Sequence, residues 1–290
     1  MKQEDYPGLY QAADSASISS QKKYVASIGF YLILLVVGAG VSLLMMDSVV
    51  MAIIAAVILL GTLFTSLLLA FKRFDKLWYN GRAVAESVKT ITWRYIMKAQ
   101  PYDNSDEVLT RHFLLQSLRD ILDQNKELGL IFDPSAATKN AISTRMSEIR
   151  NLSLDDRKSI YLTCRVDDQR AWYSKKAGQN KKDALIWFIV LCVAQALALI
   201  CVLVKIAKPA WHYLPISVFI VMAGSALTWM QTKRYQELAT AYSLAAHEIC
   251  LLRQNIDSIS TESSFSAFVN DSETAFSREH TQWQARREHV

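Results

Sequence analysis

The chain has 290 residues, 51% of them hydrophobic and 20% charged, with a formal net charge of +5. The apolar residues are gathered into four blocks instead of being spread along the chain, which excludes an ordinary soluble domain with one core. The modest positive charge clusters at the edges of those blocks, which points to an anionic membrane face and away from a nucleic-acid groove.

Residues Met1 to Lys23 form a polar lead that Pro7 and Gly8 break, and Leu9 to Lys23 reads as a helix feeding the first apolar run. Val25 to Met46 holds about 22 residues without a charge, and after Asp47 and Ser48, Val49 to Phe71 adds about 23 more. At ~1.5 Å per residue, either run crosses a hydrocarbon core of ~30 Å. Two such runs joined by almost nothing read as a helical hairpin, because lipid offers no partner to unpaired backbone groups. The first run exceeds the ~7–15 apolar residues of a signal peptide and reads as a retained span.

Helical spacing continues past the second run through Phe74, Leu77, Trp78, Gly81, Ala85, Val88, Ile91 and Tyr95. It predicts one helix from about Val49 to Gln100, roughly 75 Å long, ended by Pro101. With no Gly-Pro break at the membrane edge, such a helix would act as a rigid lever between a polar end and a span. A second polar helix is expected from about Ser105 to Leu128, with Asp106 and Glu107 in its first turn and Gly129 and Pro134 after it. Ser135 to Asn151 is expected to form a further short helix. Ser153 with Asp156 resembles a capping box, and no proline follows until Pro209, so a second long helix is expected from Leu154 into a third span, Ala184 to Val204. Trp211 to Met230 is the fourth expected span. A Ser-rich link, Ser258 to Ser266, precedes a last polar helix from about Phe268 to His289.

The expected fold is an all-α membrane protein: four transmembrane helices as two hairpins, with long helical cytoplasmic extensions. Two halves, 1–130 and 131–290, repeat one plan. Lys72-Arg73 and Lys233-Arg234 mark equivalent edges, and the stripe Phe74, Leu77, Gly81, Val88 is answered by Tyr235, Leu238, Tyr242, Ala245, Ile249 and Leu252. Glu86 and Glu248 stand at nearly the same distance from their basic pairs. Lys22, Lys23, Lys72, Arg73, Lys76, Arg82, Arg170, Lys175, Lys176, Lys181, Lys182, Lys233 and Arg234 fall on one side of the spans, against Lys205 and Lys208 on the other. That bias places both termini and the long middle segment in the cytoplasm, with the spans in the inner membrane.

Patterns for chemistry are absent. There is no Walker loop, no GxGxxG and no GxSxG, and His247-Glu248 lacks the second histidine of a zincin. His112, His212, His247, His280 and His289 show no ligand spacing, and Cys164, Cys192, Cys201 and Cys250 form neither a CxxC nor a disulfide framework. No catalytic residue, metal or cofactor is expected, and the chain does not read as an enzyme.

Polar residues are sparse in the spans. Thr62, Thr65 and Ser66 share a face of the second, Gln195 stands alone in the third, and Ser217, Ser225 and Thr228 share a face of the fourth beside Gly224. Two readings stand open: the lining of a pore, or close helix packing through small hydroxyl residues. Glu86 to Tyr95 is denser. Arg82, Glu86 and Lys89 have the i, i+4 and i, i+3 spacing of a salt-bridged helix face. Trp93 beside Arg94 calls for burial against a neighbouring helix or a second subunit.

Three stretches of the first half carry a resemblance: YPGLYQAADSAS (Tyr6 to Ser17), Trp78-Tyr79 with Arg82, and ESVKTITWRY followed by Pro101-Tyr102. They are similar to the SLATT family, the two-transmembrane effector domains of prokaryotic conflict systems. YLTCRVDDQRAWYSKKA (Tyr161 to Ala177) and SETAFSREHTQW (Ser272 to Trp283) resemble another branch of the same family. The resemblance implies an all-α membrane protein that forms pores or perturbs membranes in anti-phage defence, triggered by a nucleotide second messenger or a partner protein. The chain has no recognisable nucleotide-sensing domain of its own. Candidate coupling or subunit contacts are Arg82, Glu86, Lys89, Trp93, Arg94, Trp172, Tyr173, Glu273, Arg278, Glu279, His280 and Trp283. The expected partners are the lipid bilayer, further copies of the chain, and a nucleotide or cytoplasmic protein trigger. The rival reading is a membrane-anchored scaffold that recruits a partner without conduction. A small-solute transporter is disfavoured, because repeats of two spans share one orientation and no broken helix is evident.

Overall fold

The computed structural model describes residues 1–44 and 49–287, and their side chains except at 257, 258 and from 278 onward. The expected tight turn at Asp47 and Ser48 therefore lies outside the described residues. All regular structure among the described residues is helical: α1 (Gly8–Leu43), α2 (Val49–Lys72), α3 (Phe74–Ile96), α4 (Glu107–Gln124), α5 (Thr144–Arg150), α6 (Leu154–Tyr161), α7 (Asp168–Ala207), α8 (Ile216–Lys233), α9 (Tyr235–Gln254) and α10 (Glu262–Arg287), with short 3-10 turns between. A π turn, Leu162–Asp167, joins α6 to α7. Among the described residues, three stretches are long and apolar enough to cross a membrane: Gly8–Leu43, Val49–Ile96 and Leu154–Ala207.

The fourth expected span is not among these three. Residues 211–215 are not helical, and α8 has 18 residues that include Gln231 and Lys233 in its last turn. Pro215 sits at its N-cap, where a residue without an N–H marks the point at which the helix starts.

By internal contacts the chain forms two units. One, here the polar unit, comprises Met1–Gln21, Asp75–Lys175 and Ala241–Val290; the other, the apolar unit, comprises Lys22–Phe74 and Lys176–Thr240. The polar lead and the first apolar run form a single helix, α1, as the sequence predicts.

The single helix expected from Val49 to Gln100 is corrected. α2 stops at Lys72, Arg73 turns left-handed with φ 42°, and α3 starts at Phe74 and ends at Ile96. The second basic pair repeats the device: Arg234, φ 51°, closes α8 by donating its N–H to the Met230 carbonyl at 2.9 Å, and α9 begins at Tyr235. A left-handed residue with a Cβ costs about 1–2 kcal/mol through crowding of the carbonyl. Neither junction holds a glycine or proline, so the apolar stripe crosses it with no signal in the sequence. The unbroken lever is thus replaced by two helices meeting at an arginine.

Within the polar unit several bounds shift for local reasons. α4 starts where the Asp106 carboxylate accepts from the N–H groups of Val108 and Leu109, and ends at Gln124 instead of Leu128. The helix expected over Ser135–Asn151 is shortened to α5, Thr144–Arg150, capped by the Ser143 hydroxyl, with a 3-10 turn at Pro134–Thr138 before it. The Ser153 hydroxyl accepts from the Asp156 N–H at 3.2 Å and opens α6. The second half of the Ser-rich link, from Glu262, already belongs to α10: Thr261 and Ser264 bond reciprocally at its start, and Phe265 is fully buried. α1 crosses α3 backbone to backbone at Gly81, where a Cβ would lie 3.1 Å from the Ala13 carbonyl oxygen. Ser17 Oγ donates to the Trp78 carbonyl at 3.0 Å in the same crossing. An aromatic core of Tyr6, Trp93, Tyr102, Tyr161 and Phe265 fills the unit.

The apolar unit packs through small residues. A Cβ on Gly61 would lie 3.2 Å from Leu34, one on Gly38 3.3 Å from Ile58, and one on Gly29 3.5 Å from Trp229. Ala194, Ala198, Ala223 and Ala226 are buried, while Phe30, Ile33, Leu59, Phe64, Leu199 and Ile220 are more than half exposed. A surface of that kind is stable against lipid, not water.

Candidate functional site

Among the described side chains of the polar unit, three arginines are at 2% exposure or less: Arg150 on α5, Arg157 on α6 and Arg165 in the π turn. Arg150 donates from Nε to Glu107 at 2.9 Å, from Nη2 to the Tyr102 carbonyl at 3.2 Å and from Nη1 to the Tyr95 carbonyl, with its guanidinium 4.6 Å over the Tyr95 ring. Arg157 donates from Nη1 to the Met97 carbonyl at 2.7 Å, from Nε to the Leu152 carbonyl at 3.3 Å and from Nη2 to Glu262. Both satisfy carbonyls at and beyond the C-terminus of α3, the end at which a helix favours cations.

Arg165 is held differently. It meets Glu273 of α10 as a fork, Nε to Oε1 at 2.8 Å and Nη2 to Oε2 at 2.6 Å, and Glu273 has no exposure. The Tyr161 hydroxyl donates to Glu273 Oε1 at 3.0 Å, and Arg165 stands 5.1 Å over the Phe276 ring. Burial opposes the charge on Arg165, but Glu273 more than offsets it and the proton is held more tightly than usual. The Tyr161 phenol is pushed up by burial and then by the Glu273 charge. A π turn inserts one residue into a helical run, and such turns are frequent at functional sites.

Next to this pair, α3 presents Arg82, Glu86, Lys89 and Trp93 at helical spacing. The Arg82–Glu86 ion pair forms at 2.9 Å. Lys89 has no carboxylate within ion-pairing distance among the described residues, so the expected Glu86–Lys89 pair is absent there. Burial lowers the pKa of Lys89, and the Arg165 and Arg82 charges add to that against the opposing Glu86. Trp93 is buried within the protomer: its indole N–H donates to the Tyr6 hydroxyl at 2.9 Å, and its ring meets Tyr161 edge-on with centroids 5.8 Å apart. From α1, the Tyr10 ring meets that of Tyr6 at a tilt of 34°, with centroids 4.6 Å apart. Burial, with the Asp14 and Glu86 charges, pushes its phenol up to about 12.

Trp172 and Tyr173 of α7 close an aromatic group with Tyr242 of α9 at centroid distances of 5.4 and 5.6 Å. Arg94 points to α10, where Nη2 donates to Thr274 Oγ1 at 2.9 Å and to the Asn270 carbonyl at 3.4 Å. The side chains of Arg278, Glu279, His280 and Trp283 lie outside the described residues. The structure therefore gathers Arg82, Glu86, Lys89, Trp93 and Glu273 and adds Tyr6, Tyr10, Tyr161 and Arg165, which sequence reasoning did not single out. The available signal was an arginine in YLTCRV, flanked by apolar residues at helical spacing.

The polar residues of the spans mostly bond to their own helices. Thr62, Thr65, Ser66 and Thr228 donate to the Leu59, Gly61, Thr62 and Gly224 carbonyls at 2.8–2.9 Å. Ser225 Oγ is buried without a partner among the described residues, and Gln195 and Ser217 are exposed. Among the described residues, no group of three His, Cys, Asp or Glu side chains is placed to hold a metal.

Comparison with protein families gives two adjacent matches. Residues 7–158 match SLATT_3, the SMODS and SLOG-associating 2TM effector domain 3, and residues 161–283 match SLATT_1, the SMODS and SLOG-associating 2TM effector domain 1. The first match contains α1 and α2, and the second contains α7 and α8. No curated protein matches the chain, and no solved structure does.

Proposed function

Because the chain belongs to the SLATT family of two-transmembrane effector domains, in two different branches, we propose that it is a non-enzymatic effector of a prokaryotic conflict or anti-phage defence system. It sits in the inner membrane as four spans in two hairpins, with the polar unit and both termini in the cytoplasm. When a nucleotide signal or a partner protein engages the polar unit, the apolar helices repack and open a conducting path or disrupt the bilayer. The path is built from several copies, since the span hydroxyls are mostly satisfied by their own backbones. The observation that carries this reading is the tandem of effector-domain matches, each containing one pair of apolar runs. The bias of lysine and arginine at the span ends supports the orientation. The left-handed arginines at 73 and 234 support repacking, because a helix junction absorbs a dihedral change where a continuous helix does not.

Induced expression followed by membrane-potential dye uptake, with and without the neighbouring genes, tests it. Loss of potential in the triggered cells is expected. An intact potential together with co-purification of a cytoplasmic partner would establish the scaffold instead. A cysteine placed at Ser117 should resist an impermeant alkylating reagent in intact cells, and its labelling would overturn the orientation.

A further inference from the structure

The two lysines between the spans of the second hairpin are used differently. Lys205, in the last turn of α7, donates from Nζ to the Pro209 carbonyl at 2.9 Å and to the Trp211 carbonyl at 2.8 Å. It closes the connection to α8 on itself, as a cation does at a helix C-terminus. The Lys208 N–H donates to the Val204 carbonyl at 2.8 Å and the Trp211 N–H to the Lys208 carbonyl at 3.0 Å, which tie the same turn. The Lys208 ammonium takes no part in this. It belongs to an exposed residue and stands 4.9 Å over the Trp211 ring, with no hydrogen-bond acceptor or carboxylate in reach among the described residues. A ring face attracts the charge but leaves the three N–H donors of an ammonium to other partners.

The surroundings say what kind of partner. No Asp or Glu stands between Asp183 and Glu237, so the connection carries two cations and no counter-charge of its own. Trp211 and Tyr213 are more than half exposed, and Ile206 of α7 and Ile220 of α8 carry an outward apolar surface on either side of them. Exposed aromatic rings beside lysine at the end of an apolar run are the composition of a bilayer interface, where amphipathic side chains meet the headgroups. α8 begins only at Ile216, and its 18 residues rise about 27 Å, just short of a ~30 Å hydrocarbon core. On that length the non-helical residues 211–215 belong at headgroup level.

We propose that Lys208 and the Trp211 and Tyr213 rings form an interfacial site for the headgroup of an anionic phospholipid, in the leaflet that this connection faces. The ammonium meets the lipid phosphodiester, and the rings lie against the glycerol and the upper acyl chains. Lys205 holds the turn that presents them. The aromatic surface calls for an apolar partner, which a soluble phosphate does not offer. The site goes beyond the effector reading: it rests on the second hairpin crossing the bilayer and makes no use of conduction.

The test reconstitutes the full chain in phosphatidylcholine vesicles that hold a minor fraction of lipid brominated on the upper acyl chain, either phosphatidylglycerol or phosphatidylcholine. Bromine quenches tryptophan on contact, and the difference between the parent and Trp211→Phe isolates Trp211. Brominated phosphatidylglycerol should quench Trp211 with about fivefold higher apparent affinity than brominated phosphatidylcholine. Lys208→Gln, read with and without Trp211→Phe, should bring that ratio close to one. Equal quenching by the two lipids in the parent, or a preference that Lys208→Gln leaves unchanged, overturns the site. So does a preference that inorganic phosphate removes at constant ionic strength, which would assign the cation to a soluble anion. Trp187→Phe, which isolates a tryptophan of α7 in the same way, separates the site from the reading beneath it. Trp187 quenched with Trp211 silent refutes the site alone, and both silent refutes the membrane placement of the hairpin together with the site.

Discussion

The two units solve the same packing problem with opposite means. In the polar unit large side chains and ion pairs are buried, and glycines let backbone meet backbone, as Gly8 does where a Cβ would come 2.1 Å from the Ala136 carbonyl oxygen. In the apolar unit small residues are buried and large ones face outward, and Gly61 and Gly38 meet side-chain methyls of Leu34 and Ile58 and no backbone. Water explains the difference. A domain that hides from water must bury its large residues, whereas lipid tolerates them outside and leaves only close packing to hold helices together. The polar unit should therefore respond sharply to changes at single buried groups, and the apolar unit mildly.

The largest expected effect is at Glu273. Glu273→Ala strands the Arg165 charge in the core and should cost about 3–5 kcal/mol. Limited proteolysis should then cut the polar unit while the protein still resists carbonate extraction from membranes; equal loss of both would break the contrast. Gly8→Ala forces a Cβ into the Ala136 carbonyl and should cost about 1–3 kcal/mol, against under ~1 kcal/mol for Gly61→Ala, where Leu34 can turn aside. Unfolding midpoints of the two variants in one detergent compare them directly, and a larger loss at Gly61 would reverse the expected order. Trp93→Phe removes the donor to Tyr6 while keeping a buried ring, and should cost about 1 kcal/mol by denaturant titration.

The smallest effect tests the junctions. Arg73→Gly and Arg234→Gly remove the Cβ from left-handed residues and should be neutral or stabilising by up to ~1 kcal/mol. A glycine within a continuous helix would instead cost about that much. The sign of the change in midpoint therefore decides whether the break exists.

Helical spacing was enough to place most elements, because burial in a helix repeats every three or four residues whatever packs against it. The polar lead feeding α1, the run of α2 and the long approach to α7 were legible for that reason. The breaks at Arg73 and Arg234 were not, since one left-handed residue leaves the apolar stripe in register and neither position carries glycine or proline. Arg82, Glu86, Lys89 and Trp93 were legible as a group because they share one face of one helix.

Arg165 and Glu273 lie 108 residues apart, and no local pattern pairs them. The sequence by itself determined that this chain is helical, carries apolar runs long enough to span lipid and has a polar remainder, since each of these follows from composition and short-range periodicity. Only the tertiary structure decided which charges are buried, which of them are paired and where a donor is left over. Those outcomes depend on helices distant in the chain meeting in space, and a one-dimensional pattern does not encode that distance.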